Sequence, residues 1–211
     1  MSFLTEKPPE NLEVNGEKYP INTDFRTVLR YMEVVEDADE TLADIERCLQ
    51  ILYKIPPPRN DIAEAVKQAT WFVKCGKKEK KGKPSKKILG INSNEALNFK
   101  EDAWLIYSAF RRNDVYGIDL HTIQYLHWWE FIAMLDDIPE TVSLHRIMQY
   151  RIIDTTNKSL SKEQVAFYKA MQRYYKIQQV EENEELIKAL KEGRDPSPYP
   201  VSYTHLTLPT T

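Results

Sequence analysis

The sequence predicts a mainly α-helical single domain of about seven helices with one small β-hairpin near the N-terminus. Three observations predict it. Apolar residues recur at spacings of three and four through most of the 211 residues, the period of an amphipathic helix. One Asn-Gly pair, Asn15-Gly16, lies between two short alternating runs, the strongest short-range hairpin signal. Length and composition fit one globular domain with a tail: 42% of residues are hydrophobic and 29% charged.

The elements follow in order. Residues 1–11 are expected to be a flexible N-terminus. LEVNGEKYPI (12–21) is the hairpin. Asn22, Thr23 and Asp24 are good N-cap types ahead of Phe25, Val28, Leu29 and Met32 at helical spacing. A second helix over about 39–54 carries Leu42, Ile45, Leu49 and Leu52, and Pro56, Pro57 and Pro58 stop it. A third, about 60–75, carries Ile62, Val66, Ala69, Phe72 and Val73. A fourth is expected over 98–116, ended by Tyr116-Gly117. Asp119 is expected to cap a fifth, DLHTIQYLHWWEFIAMLDD, whose apolar residues spread over more than one face. Leu126–Leu135 should therefore lie in the most buried helix. A sixth spans 141–153. Ser161 and Gln164 resemble a capping box opening a long helix over 161–192, its second half charged and projecting into water, with Gly193 at its end.

The helical domain is thus expected over 12–192, with a basic loop and linker at 74–98 inside it and a Pro-rich end at 193–200. Residues 201–211, VSYTHLTLPTT, carry no Lys, Arg, Asp or Glu and resemble one reading frame of a transposon adapter used in shotgun library preparation. They are read as a non-native tail, so His205 does not count as a ligand.

KCGKKEKKGKPSKK (74–87) holds eight lysines and one glutamate. Removing these from 29 basic and 32 acidic residues leaves 21 and 31. The chain is an acidic body with one basic loop. Such a block is normally solvated. Lys77, Lys78, Lys80 and Lys81 are candidate contacts for a polyanion, since phosphate neutralisation needs only charge density. The loop lacks interleaved aromatic residues for base stacking, and the acidic body would repel a long duplex, so nucleic acid is not the expected partner.

Catalytic constellations are sparse. GxGxxG, GxxxxGK[ST], GxSxG and HExxH do not occur, and only 6 glycines are present. His121 and His127 are six residues apart, a poor metal pair on a helix. His127 and Glu130 have ligand spacing but occur once, where a di-iron site needs Glu-x-x-His on two helices. His145 stands alone. The lysines beside Cys75 favour a lowered thiol pKa, but no motif supplies a base. Cys48 and Cys75 are too few for a disulfide framework. Asp136-Asp137 and Asp37/Asp39 fit helix-end capping. No catalytic residue, metal or cofactor is expected. No apolar run approaches the ~20 residues of a membrane span, and the first residues lack the apolar core of an export signal. A cytosolic protein is expected.

The aromatic group Trp104, Tyr107, Phe110, Tyr125, Trp128, Trp129 and Phe131 reads first as core. Trp128 and Trp129 would point about 100° apart on a helix. One of them is therefore expected to be partly exposed as a partner anchor, as Trp is enriched at binding hot spots.

PINTDFRTVLRYMEV (20–34), DAWLIYSAFRRNDVYGIDL (102–120), LHWWEFIAML (126–135) and IMQYRIID (147–154) appear in this order. The chain resembles, on these segments, the bacteriophage gene-product-fifteen family of long-tailed phages and prophages of Gram-positive bacteria. The likeness runs from about residue 10 to about 190. None of these segments is catalytic. The resemblance implies a non-enzymatic tail assembly protein in the cytoplasm of the bacterial host. Its genes lie between those of the major tail protein and the tape measure protein, as tail assembly chaperones do. The implied partners are the tape measure protein and other tail assembly proteins, with no membrane. A minor structural tail component and a nucleic-acid-binding accessory using Lys74–Lys87 are the alternatives.

Overall fold

The computed structural model describes residues 3–37, 41–77, 86, 89–92 and 94–177. The chain divides into two units, Met1–Tyr175 and Lys176–Thr211. All the elements below belong to the first; in the second, only Lys176 and Ile177 are described.

β1 (Asn11–Val14) and β2 (Glu17–Pro20) pair antiparallel, with Leu12 opposite Tyr19 and Val14 opposite Glu17. Asn15 (φ 50°) and Gly16 (φ 90°) both take positive φ, as a tight hairpin turn demands. Leu12 and Val14 face the core while Asn11 and Glu13 face water. This alternation puts one side of β1 on α3.

Seven α-helices are described: α1 (Phe25–Glu36), α2 (Leu42–Leu52), α3 (Ile62–Val73), α4 (Ala103–Arg111), α5 (Trp128–Asp136), α6 (Ser143–Ile152) and α7 (Lys162–Tyr174). The fold is mainly α, as the periodicity predicts. Asp24 is the cap of α1, accepting from Arg26 N at 3.0 Å. The Ser161/Gln164 capping box forms, with Gln164 N to Ser161 Oγ at 3.2 Å and Ser161 N to Gln164 Oε1 at 2.8 Å. α1 packs on α2, α2 on α3, α4 on α6, α6 on α7, and α1 on α5.

Several predicted helices are shorter in the structure. The fourth starts at Ala103, not 98, because Asn98 Oδ1 accepts from Lys100 N and Glu101 N in a turn of its own. It stops at Arg112, whose ψ of 130° is extended, and Gly117 N closes the following turn on Arg112 O. Tyr116-Gly117 is therefore not the stop. The fifth is not capped by Asp119. That residue closes a single turn through His121 N, Thr122 N and Ile123 N. The helix begins nine residues later, because the chain at 126–128 pairs with 23–25: Phe25 N donates to Leu126 O at 3.0 Å and Trp128 N to Thr23 O at 2.8 Å. Backbone groups committed across the fold are not free for a local helix. The last helix ends at Tyr174, where Arg151 Nε claims the carbonyl of Tyr175 at 2.7 Å. The remainder of the predicted 161–192 helix, beyond Ile177, lies outside the described residues, as do 193–211.

α5 contributes four buried side chains, Trp128, Trp129, Phe131 and Leu135, more than any other described helix. Phe131 is the hub. Phe25 stacks on it at 4.7 Å, Phe110 at 5.2 Å and Trp128 at 5.7 Å between ring centroids. Offset stacks of this kind add about 0.5–1.5 kcal/mol per pair beyond the area they bury.

A second tie is ionic. Arg151 on α6 grips Asp102 at the start of α4 through two parallel bonds, Nη1 to Oδ2 at 2.6 Å and Nη2 to Oδ1 at 2.9 Å. Both residues are buried. The same guanidinium donates to Ala96 O and Tyr175 O. Asn92 and Asn94 bond the Arg151 carbonyl. One side chain thus joins α4, α6, the end of α7 and the segment that follows the lysine-rich loop.

Candidate functional site

The two adjacent tryptophans correct the expectation that one indole is exposed. Trp128 is 1% and Trp129 7% exposed. The reason lies at the far end of α3, where the last carbonyls have no partner within the helix. Trp128 Nε1 donates to Val73 O and Trp129 Nε1 to Phe72 O, both at 2.9 Å. Both rings turn toward one helix end, so the nominal 100° between neighbouring side chains does not separate them. Gly76 N closes on Trp71 O and Cys75 N on Phe72 O, the bond pattern of a Schellman motif. Cys75 and Gly76 take positive φ, 55° and 63°. A Cβ on Gly76 would meet the Trp129 ring at 3.0 Å and the Trp71 ring at 3.1 Å. The lysine-rich loop therefore leaves α3 from a wedge of tryptophan.

Among the described residues the most exposed aromatic is Trp104, at 76%. It stands on α4 beside an apolar cleft of about 510 Å³ whose walls include Leu29, Phe99, Ile106, Tyr107 and Leu120. Ile106, Ala109 and Phe110 hold α4 on the core. Trp104 is two residues before Ile106, about 200° round the helix, and so points away from it. Tyr107 lies 6.2 Å from the Trp104 ring and 4.7 Å from His121. Arg26 braces the cleft: its guanidinium pairs with Asp24 and donates to Leu120 O at 2.8 Å and Ile123 O at 2.7 Å. The 120–123 turn is thereby fixed to α1, and the cleft is preformed. Preformed apolar concavities are where partners and ligands dock.

The remaining candidates have structural jobs. His127 caps α5, with Nδ1 accepting from Trp129 N at 3.0 Å and Nε2 facing Pro9 O at 3.3 Å. This fixes the neutral ring with its proton on Nε2, and burial pushes its pKa below the ordinary value. Above the unfolded-state pKa of about 6.5 the ring is neutral in both states. Below it the unfolded chain takes a proton that the folded ring resists, so stability falls with pH. His127→Asn keeps a cap acceptor and should flatten the decline in unfolding free energy below about pH 6.5, read from urea titrations at a series of pH values. An undiminished slope would contradict this role.

His121 lies against Tyr107, and His145 contacts Gln149 on the surface. Among the described residues no group of three His, Cys, Asp or Glu side chains could hold a metal. Burial pushes the Cys75 thiol up to about 11, outweighing the opposing charge of Lys77. The lysines thus do not activate it. Asp37, Asp136 and Asp137 sit at the C-terminal ends of α1 and α5, where a carboxylate does not complement the helix dipole. Asp37 and Asp137 do cap these helices, but through their backbone N–H groups, which donate to Glu33 O and Met134 O, and not through their carboxylates; Asp39 lies outside the described residues. Asp136 instead pairs with Lys77 at 2.6 Å in an exposed bridge. Lys78, Lys80 and Lys81 also lie outside the described residues.

The described surface thus offers apolar recognition features on a helical protein. A family model described as Bacteriophage Gp15 protein matches residues 4–177, and the chain belongs to that family. It is a phage structural or assembly protein, working with other phage proteins. No curated protein and no solved structure matches it. Among the described residues, no helix is long and apolar enough to cross a membrane.

Proposed function

We propose that this protein is a tail assembly chaperone that binds the tape measure protein in the host cytoplasm, keeps it soluble, and leaves before the tail is complete. Family membership supports a partner among the phage's own proteins, and the gene order that the resemblance implies favours the tape measure. A tape measure is a very long helical chain with apolar stripes along its surface. The observation that favours binding here is Trp104, exposed beside a preformed apolar cleft on an otherwise acidic body. A tryptophan at the rim of a concavity is the usual anchor of a protein interface. A partner helix would present residues at i, i+3, i+4 and i+7 to such a groove.

Co-expression tests the reading. The protein should raise the soluble yield of tape measure fragments and capture them at about 0.5 M salt, where exposed ion pairs are screened. Capture that collapses at that salt and is abolished by neutralising Lys77, Lys78, Lys80 and Lys81 would place binding on the basic loop instead. Mass spectrometry of purified particles separates a chaperone, which should be absent, from a structural tail component.

A further inference from the structure

A second apolar cleft, of about 280 Å³, lies between the N-terminal strap and the α3–α5 surface. Trp71, Trp129, Ile132 and Ala133 form one wall, and Phe3 and Pro8 the other. Trp71 and Trp129 meet edge to face at 5.5 Å. Phe3 leans on Trp129 at 6.3 Å between centroids yet stays 48% exposed, and its neighbour Leu4 is 95% exposed. The strap covers the tryptophans without filling the space beneath it.

Its base, by contrast, is fixed. Pro9 O faces His127 Nε2, and Glu10 O accepts from Ile21 N at 3.0 Å. Pro8 and Pro9 stiffen the chain at this point. The segment from Phe3 to Lys7 therefore has a rigid pivot at one end and an incompletely buried aromatic at the other.

We propose that residues 3–7 are a displaceable plug. They are an intramolecular ligand for an aromatic-binding cleft on α3 and α5. A phenylalanine carried on a turn of a partner phage protein takes the place of Phe3 when the strap swings out. The strap itself displays the ligand chemistry, since Phe3, carried on a turn over residues 3–5, already packs its ring against Trp129. Displacement would uncover Trp129, which then becomes a partner contact; Trp128 stays in the core. The identity of the partner rests on the assembly reading above, but the plug does not.

The probe is a synthetic peptide of residues 2–9 of this chain, followed by tryptophan fluorescence. A chain lacking residues 2–7 should bind it at least about tenfold more tightly than the intact chain, because a closed strap reduces apparent affinity by the fraction of open molecules. Phe3→Ala in the full-length chain should also tighten binding, which keeps the test valid if the truncation folds poorly. The same peptide carrying Phe3→Ala should not bind. Ala133→Trp, at an exposed position on α5, should block the cleft and abolish binding. Equal affinity for intact and strap-free chains, no binding to the strap-free chain, or indifference to Ala133→Trp would overturn the proposal. Loss of tape measure capture with peptide binding intact would remove the chaperone reading alone.

Discussion

Asp102→Ala is expected to lower the unfolding free energy by about 3–5 kcal/mol, the usual cost of leaving one partner of a buried ion pair alone. The geometry puts the effect at the upper end of what single substitutions do. Asp102 accepts both arms of the Arg151 guanidinium and also the amide of Asn98 at 3.0 Å. Removing the carboxylate strands a buried, unpaired guanidinium. It also unties the turn that starts α4 and, through Arg151, the carbonyls of Ala96 and Tyr175. Urea unfolding of the two chains measures the difference. A loss under about 1 kcal/mol, the range of surface ion pairs, would show that the pair does not organise this end of the fold.

Trp128→Ala should cost about as much, roughly 3–5 kcal/mol, the range for deleting a buried large aromatic. The indole is almost fully buried, stacks on Phe131 and lies 5.9 Å from Phe99. It also supplies the partner for Val73 O at the end of α3. Trp128→Phe separates the two contributions. It keeps most of the apolar contact and leaves Val73 O only the weak Cys75 Sγ donor at 3.8 Å, so it should cost about 1–3 kcal/mol. If both variants unfold alike, the hydrogen bond to α3 dominates. If phenylalanine is neutral, packing alone matters.

The sequence exposed those parts of the fold whose cause is local. Asn15-Gly16 marks the hairpin because both residues tolerate positive φ, and Ser161 with Gln164 marks a helix start because the two side chains satisfy each other's backbone groups. The stretch 119–127 misled because its apolar period is helical while its start is a single turn closed by Asp119 and its end pairs with residues 23–25, about a hundred positions away; nothing nearby signals that pairing. Trp128 and Trp129 misled for a related reason. Their nitrogens are claimed by carbonyls on another helix, which overrides the angular separation of neighbours. Trp104 was more accessible to reasoning than its placement with the core aromatics suggests. Ile106, Ala109 and Phe110 define the inner face of α4, and position 104 falls opposite. The Asp102–Arg151 pair carried no signal, since one Asp and one Arg 49 residues apart are unremarkable until the helices that bear them pack.

On the proposed reading, partner recognition lies at the cleft beside Trp104. The most direct test is a titration of a tape measure fragment against the wild-type protein and Trp104→Ala at about 0.5 M salt. Trp104 is largely exposed, so its removal should leave the thermal midpoint nearly unchanged. Loss of a hot-spot anchor worth about 2 kcal/mol should weaken binding by roughly 30-fold. A dissociation constant unchanged by Trp104→Ala, in a variant that unfolds at the wild-type temperature, would contradict the assignment.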